Sequence, residues 1–251
     1  MARIIEVRGL TKSFGAQCVL DNIDLGFEGG LIHFVLGRSG AGKSVLIKHM
    51  VGLLSADRGE VRYDGESVAE LDGERLRDLR RRCQLIFQHP TLFEHLSVID
   101  NVAMPLQKRF HKSASESREL AEAALVEVDA QDARELMPTE IGRGVQKRVT
   151  VARALALKPE TLLYDEPTTG LDPVSARRLD RTIQRACEQR GVTSVVVSHD
   201  LSSVEAIAER VVFLSRARVA FDGTSEEWSR CQIPDVVAFR GGDERWRPVQ
   251  G

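Results

Sequence analysis

Short apolar runs alternate along this chain with segments whose apolar positions recur at helical spacing, and the alternation divides it into three stretches. Residues 4–7, 19–25 and 31–36 read as strands, with Phe14 in a turn (Thr11-Lys12-Ser13-Phe14-Gly15) between the first two. Residues 45–54 follow with helical spacing. Residues 59–65 read as a hairpin strand with turn residues at both ends. A charged helix is expected at 73–81. Residues 83–87 form a buried strand, stopped by Gln88-His89-Pro90 because proline biases the residue before it away from helix. From Pro90 to about Lys158 strand patterns vanish, and helices are expected at 98–104, 115–128 and 144–157. Strand 161–165, helix 173–189, strand 194–197, helix 201–209 and strand 211–214 then complete an alternating β/α pattern. The predicted fold class is α/β with a helical insertion at about 90–158. Residues 231–251 hold Pro234, Gly241, Gly242 and Pro248 and read as a tail that cannot make its own core. Its Phe239 and Trp246 need a surface to lie on.

Composition narrows the classes. A chain of 251 residues builds one large domain or two small ones; the expected division is a domain at 1–230 and an extension at 231–251. Formal net charge is −2, so no global basic field points to nucleic acid. The basic run at 75–82 (RLRDLRRR) reads as a solvated helix face. No apolar run approaches the ~20 residues that span a bilayer, and the N-terminus lacks a signal-peptide core. Cys18, Cys83, Cys187 and Cys231 show no paired or zinc spacing and read as reduced packing residues of a cytosolic protein.

The chemistry centres on Gly37-Arg38-Ser39-Gly40-Ala41-Gly42-Lys43-Ser44, which fits the phosphate-binding P-loop pattern between a strand and a helix. Glycines let consecutive backbone N–H groups turn inward at phosphate oxygens, and the helix N-terminus adds its dipole. Lys43 would reach the β- and γ-phosphates and Ser44 would ligate Mg²⁺. A glycine-rich turn that binds nothing is the competing reading, and the strand and helix around it weigh against that. Asp165 closes an apolar strand, where doubly wound sheets bind ligands, and would hold Mg²⁺. Glu166, one residue on, would orient and deprotonate an attacking water. His199 follows another strand and falls on the same rim, where its ring would donate to the γ-phosphate. Gln88 would touch the Mg²⁺ or the water and report to the inserted helices.

The order P-loop, Gln88, signature region, Asp165-Glu166-Pro167, Thr169-Gly170-Leu171-Asp172 and His199 resembles the nucleotide-binding subunit of ABC transporters over about residues 4–230. The resemblance implies a mixed sheet around the P-loop, an N-terminal antiparallel β part and an inserted helical subdomain. It implies ATP and Mg²⁺ as ligands, ATP hydrolysis, Phe14 stacked on adenine, and Asp172 in the D-loop. It implies two copies sandwiching two ATP molecules head to tail. A groove near Gln88 to Val98 would receive a coupling helix from a membrane permease, placing the chain on the cytoplasmic face of the inner membrane. Residues 91–98 (TLFEHLSV), 100–106 (DNVAMPL) and 135–140 (ELMPTE) are similar to the Mla-type ATPases linked to mammalian-cell-entry (MCE) lipid-binding proteins. That implies phospholipid or related lipid as cargo, an MCE-type partner, and a C-terminal extension that clasps the partner ATPase, which would give Phe239 and Trp246 their surface. The alternative is an ABC-type ATPase that regulates a membrane protein mechanically and moves no substrate.

The family signature LSGGQ aligns with Ile141-Gly142-Arg143-Gly144-Val145, in a register fixed by 146–149 and 152–154. Gly142 stands where the family serine donates its hydroxyl to the γ-phosphate held by the opposite copy, and Arg143 replaces the first glycine. Backbone N–H groups from Gly144 onward need no side chain and survive. Arg143 is either a cation offered to that phosphate, resembling an arginine finger, or a solvent-facing residue in a weakened site. The expectation is slow but real hydrolysis.

Overall fold

A computed structural model describes residues 3–241. Its central sheet has six strands in the order β10-β9-β3-β8-β7-β6: β3 (Ile32–Gly37), β6 (Cys83–Ile86), β7 (Thr161–Asp165), β8 (Thr193–Ser198), β9 (Arg210–Ser215) and β10 (Arg218–Thr224). All neighbours are parallel except β9 and β10, so the sheet is mixed. Strands covered on both faces read as unbroken apolar runs, and β3, β7 and β8 are buried at every position.

The two faces feed two cores. Phe34, Leu36, Leu162, Tyr164 and Val196 point to one side, where α3 (Val98–Phe110), α4 (Ala114–Glu127), α5 (Arg143–Leu155) and α6 (Pro173–Arg190) pack. Val35, Leu163, Val195 and Val197 point to the other, toward α1 (Lys43–Met50) and an antiparallel sheet. That second sheet runs β2-β1-β4-β5, from β1 (Arg3–Phe14), β2 (Gln17–Glu28), β4 (Arg58–Tyr63) and β5 (Glu66–Ser67). Parallel pairing aligns the functional ends: Leu36 lies opposite Ser198, and Asp165 opposite Val197. The P-loop, Glu166 and His199 therefore leave the sheet at one rim.

Several boundaries differ from the sequence reading. β1 and β2 are 12 residues each, and Phe14 is the last residue of β1 rather than a turn residue. α1 stops at Met50, and Gly52 turns the chain in the left-handed region at φ 64°. α3 is capped by Ser97, whose side chain accepts from Asp100 N–H, and runs through Pro105 to Phe110 instead of ending at 104. The basic run belongs to α2 (Gly73–Arg82) and is not simply solvated. Arg80 donates to Val51 O and Gly52 O, and Arg82 pairs with Asp64 and Glu160 over the Tyr63 ring.

The larger correction is at the tail. β10 is followed by α8 (Ser225–Arg230), and α7 (Leu201–Ile207) and α9 (Pro234–Arg240) complete the helices. Val236 of α9 is fully buried, and the Phe239 ring lies 5.0 Å from Phe213 and 6.4 Å from Trp228. Arg240 caps the turn by donating to Trp228 O and Cys231 O. Phe239 thus finds a surface on its own chain. Trp246 lies outside the described residues. Among the described residues no helix is long and apolar enough to cross a membrane.

Candidate active site

The P-loop wraps from β3 into α1. Gly42 is the N-cap of α1 at φ 94°, and a Cβ there would meet Leu20 Cδ2 at 2.7 Å and Val19 O at 2.8 Å. A Cβ at Gly37 would meet Leu214 O at 2.7 Å. Glycine is required at both for steric reasons. Lys43 is 7% exposed. Its Nζ donates to Gly37 O at 2.7 Å and to Arg38 O at 3.1 Å, and lies 3.5 Å from Glu166 Oε1. Burial pushes its ammonium below the ordinary lysine range, while Glu166 and then Asp165 pull the other way.

Ser44 Oγ donates to Asp165 Oδ1 at 2.6 Å. Two hard oxygens this close suit Mg²⁺, which takes one or two protein oxygens beside phosphates and waters. No group of three His, Cys, Asp or Glu able to hold a metal exists among the described residues.

Glu166 has φ 49°. A side chain in the left-handed region costs on the order of 1–3 kcal/mol and persists only where the surroundings over-determine it. Here Glu166 N–H donates to Val197 O at 2.9 Å, and Glu166 O accepts from Thr169 N at 3.3 Å and from Lys147 Nζ at 3.4 Å. Its Oε2 accepts from Thr169 Oγ1 at 3.2 Å and lies 2.8 Å from His199 Nδ1. With Nδ1–H given to a carboxylate, a neutral ring presents bare Nε2; only the imidazolium also donates from Nε2. His199 is therefore first of all a partner of Glu166, a relationship that the sequence reading, which aimed it at phosphate, did not contain.

The signature segment opens α5. Gly142 is its N-cap with no side-chain cap, and a Cβ there would have open space. Arg143 reaches back over the D-loop of its own chain: its Nη1 is 3.2 Å from where a Gly170 Cβ would stand. At Gly144 a Cβ would strike Ser175 Oγ at 2.7 Å, so α5 abuts the start of α6. Asp172 caps α6, accepting from Val174 N and Ser175 N at 3.0 Å each.

Two expected members stand apart. Phe14 is 49% exposed, with Lys12 Nζ 5.4 Å from its ring centroid, and touches none of the residues above in the described contacts. Gln88 lies in an exposed bend two residues past β6, and makes no hydrogen bond to a described residue. Sequence reasoning missed Lys147 and Thr169. Lys147 served there only to fix the signature register, and the sequence carries no signal that the packing of α5 buries it. Burial, then Arg143, push its ammonium down to about 8, against Glu166 and Asp165.

A glycine loop between strand and helix, with a buried lysine and a strand-end Asp-Glu pair on the same rim, is the constellation of a P-loop nucleotide hydrolase. More narrowly, the chain belongs to the ABC transporter family, whose pattern covers residues 20–169, and it is an ATPase of that family. It is 36% identical over 240 residues to the intermembrane phospholipid transport system ATP-binding protein MlaF of Haemophilus influenzae, covering 96% of this chain and 91% of that one. It is 38% identical over 244 residues to the sulfate/thiosulfate import ATP-binding protein CysA of Bordetella parapertussis, covering 94% of this chain and 67% of that one. Its fold is similar to a solved dimeric ATP-binding cassette in a post-hydrolysis state bound to ADP and Pi, with TM-score 0.79, 28% identity, and coverage of 88% of this chain and 98% of that one.

Proposed function

We propose that the chain is the ATP-hydrolysing subunit of a system that moves phospholipid between membranes. The observation that carries this is the end-to-end match to MlaF, 36% identical with about nine tenths of both chains aligned. The sulfate-import relative is as similar residue for residue but has a third of its length without counterpart here. The mechanical, non-transporting alternative is not favoured, because both relatives are transport ATPases.

In this reading the P-loop N–H groups and Lys43 bind the triphosphate of ATP. Ser44 and Asp165 hold Mg²⁺, which supplies charge neutralisation at the phosphates. Phe14 offers an exposed ring to the adenine. Glu166 takes the proton from the attacking water, and His199 keeps the carboxylate aimed by its bond to Oε2. Gln88, exposed and unbonded, is free to swing toward the cation. Two copies close head to tail, with Gly142, Arg143 and Gly144 of one facing the nucleotide of the other. The tail beyond 241 is the part left to clasp a partner.

Force leaves through a groove of about 410 Å³ beside the Gln88–Val98 segment. Ile86, Phe93, Met104 and Leu157 give it an apolar floor, and Lys108, Arg109 and Arg153 a basic wall. A permease helix with apolar and acidic faces suits it. The ATPase would sit on the cytoplasmic face of the inner membrane, with an MCE-type lipid-binding protein beyond the permease. The test is reconstitution with the permease genetically linked to this chain, following labelled phospholipid between vesicles. Transfer that needs ATP and is lost with Lys43→Ala supports the reading; ATP turnover that responds to sulfate and not to lipid overturns it.

A further inference from the structure

Lys147 is 5% exposed, yet among the described residues its ammonium has no carboxylate as an ion-pair partner. Its one hydrogen bond goes to the Glu166 carbonyl, at 3.4 Å. A buried ammonium without an anion is costly, and a leucine or methionine would fill the same space without that cost. Core packing alone therefore does not account for it.

What the ammonium touches is informative. Glu166 is the residue in the left-handed region, and its backbone turn is pinned by Val197 O, Thr169 N–H and Lys147. Val197 and Thr169 belong to the sheet rim and the adjoining loop. Lys147 alone comes from α5, the helix opened by Gly142 and Arg143. Arg143, one turn earlier, leans over Gly170 of the same turn. The charged groups facing Lys147 are thus Arg143 on its own helix and Asp165 and Glu166 on β7 and its exit.

We propose that Lys147 is a positioning residue for hydrolysis, tying the signature helix to the Glu166 carbonyl so that movement of the helix resets the carboxylate's backbone turn. This rests on the reading of Glu166 as the group that activates water. Both bonds to the carbonyl, at 3.3 and 3.4 Å, have room to shorten, as catalytic hydrogen bonds do when substrate binds. In the head-to-tail pair, α5 faces the nucleotide of the opposite copy. Lys147 would then carry the state of one nucleotide to the Glu166 that serves the other.

The test compares Lys147→Met, Lys147→Arg and Glu166→Gln in the full chain. Three readouts are used: ATP turnover, affinity for a fluorescent ATP analogue, and amide hydrogen exchange without nucleotide. Lys147→Met is expected to lower kcat about tenfold or more while analogue affinity stays within about twofold. Lys147→Arg is expected to recover most of kcat. Exchange is expected to quicken in Lys147→Met at 166–171 and to stay unchanged in β8. Wild-type turnover and wild-type exchange in Lys147→Met overturn the proposal. So does faster exchange spread over the whole chain with no recovery in Lys147→Arg, which marks a plain packing role. Glu166→Gln retaining turnover overturns the catalytic reading of Glu166 instead; the exchange measurement, which needs no hydrolysis, still decides whether Lys147 holds the turn.

Discussion

Ser44 Oγ donates to Asp165 Oδ1 at 2.6 Å, joining residues 121 positions apart in the sequence. The contact exists because β3 and β7 lie either side of β8 and end at one rim. In the proposed Mg²⁺ site each of these oxygens would take the place of a water ligand. Ser44→Ala is expected to raise the Mg²⁺ concentration for half-maximal nucleotide binding roughly tenfold, the worth of about 1.5 kcal/mol in a charge-assisted contact. A Mg²⁺ titration of ATP-analogue binding checks it; an unchanged midpoint would remove Ser44 from the cation site.

Gly142 sits at an N-cap with open space where a side chain would go. Gly142→Ser is expected to do two things. A serine N-cap adds a few tenths of a kcal/mol to α5 over glycine. Its hydroxyl also restores a hydrogen bond to charged phosphate, worth about 1.5–3 kcal/mol, or roughly ten- to a hundred-fold in the step it serves. Steady-state ATPase measurements on the dimer decide; a turnover equal to wild type says the hydroxyl has no role here.

Arg143 bears on the same step. As a cation reaching across the pair it should be needed, and Arg143→Ala should slow turnover by roughly tenfold or more. Because its guanidinium lies over Gly170 of its own D-loop, the competing expectation is a brake that is released on removal. Unchanged or faster turnover in Arg143→Ala eliminates the finger.

Phe239 packs against Phe213 and Trp228 of its own chain. Phe239→Ala is expected to lower unfolding stability by about 2–4 kcal/mol, below a fully buried phenylalanine because its ring is half-buried. Denaturant melts of dilute protein check it. A loss that appears only at concentrations where copies associate would return Phe239 to an interface.

Asp180, 2% exposed on α6, lies 2.8 Å from Arg177 Nη1. Burial nevertheless pushes its carboxyl up to about 6, against the pull of Arg177 and Ser203. The unfolded chain releases that proton near 3.8, so between these values the native state binds more protons than the unfolded one. The contribution to stability therefore falls as pH rises from about 4 through 6 and stays low above. Asp180→Asn should gain on wild type as pH goes from about 5 to 7.5. A melting-temperature difference that is constant over that range contradicts the assignment.

The rim was legible from sequence because each of its residues ends an apolar run or sits in a spaced glycine pattern. Lys43, Ser44, Asp165, Glu166 and His199 announce themselves in this way, and the structure brings all five together. Lys147 did not, since one lysine on a helix normally reads as solvated, and only the tertiary position of α5 buries it. The last third of the sheet side was also hidden. β10 has just one fully buried position, α8 is six residues long, and α9 ends at a glycine, so none carries enough periods to declare itself. α3 was expected to end at 104 but runs through Pro105 to Phe110.

Sedimentation of Glu166→Gln protein with Mg²⁺ and ATP, read together with its ATP turnover, tests most directly whether this carboxylate cleaves a nucleotide held between two copies. The account predicts an ATP-dependent dimer that persists because turnover is lost. A variant that stays monomeric with ATP and hydrolyses it at the wild-type rate would contradict it.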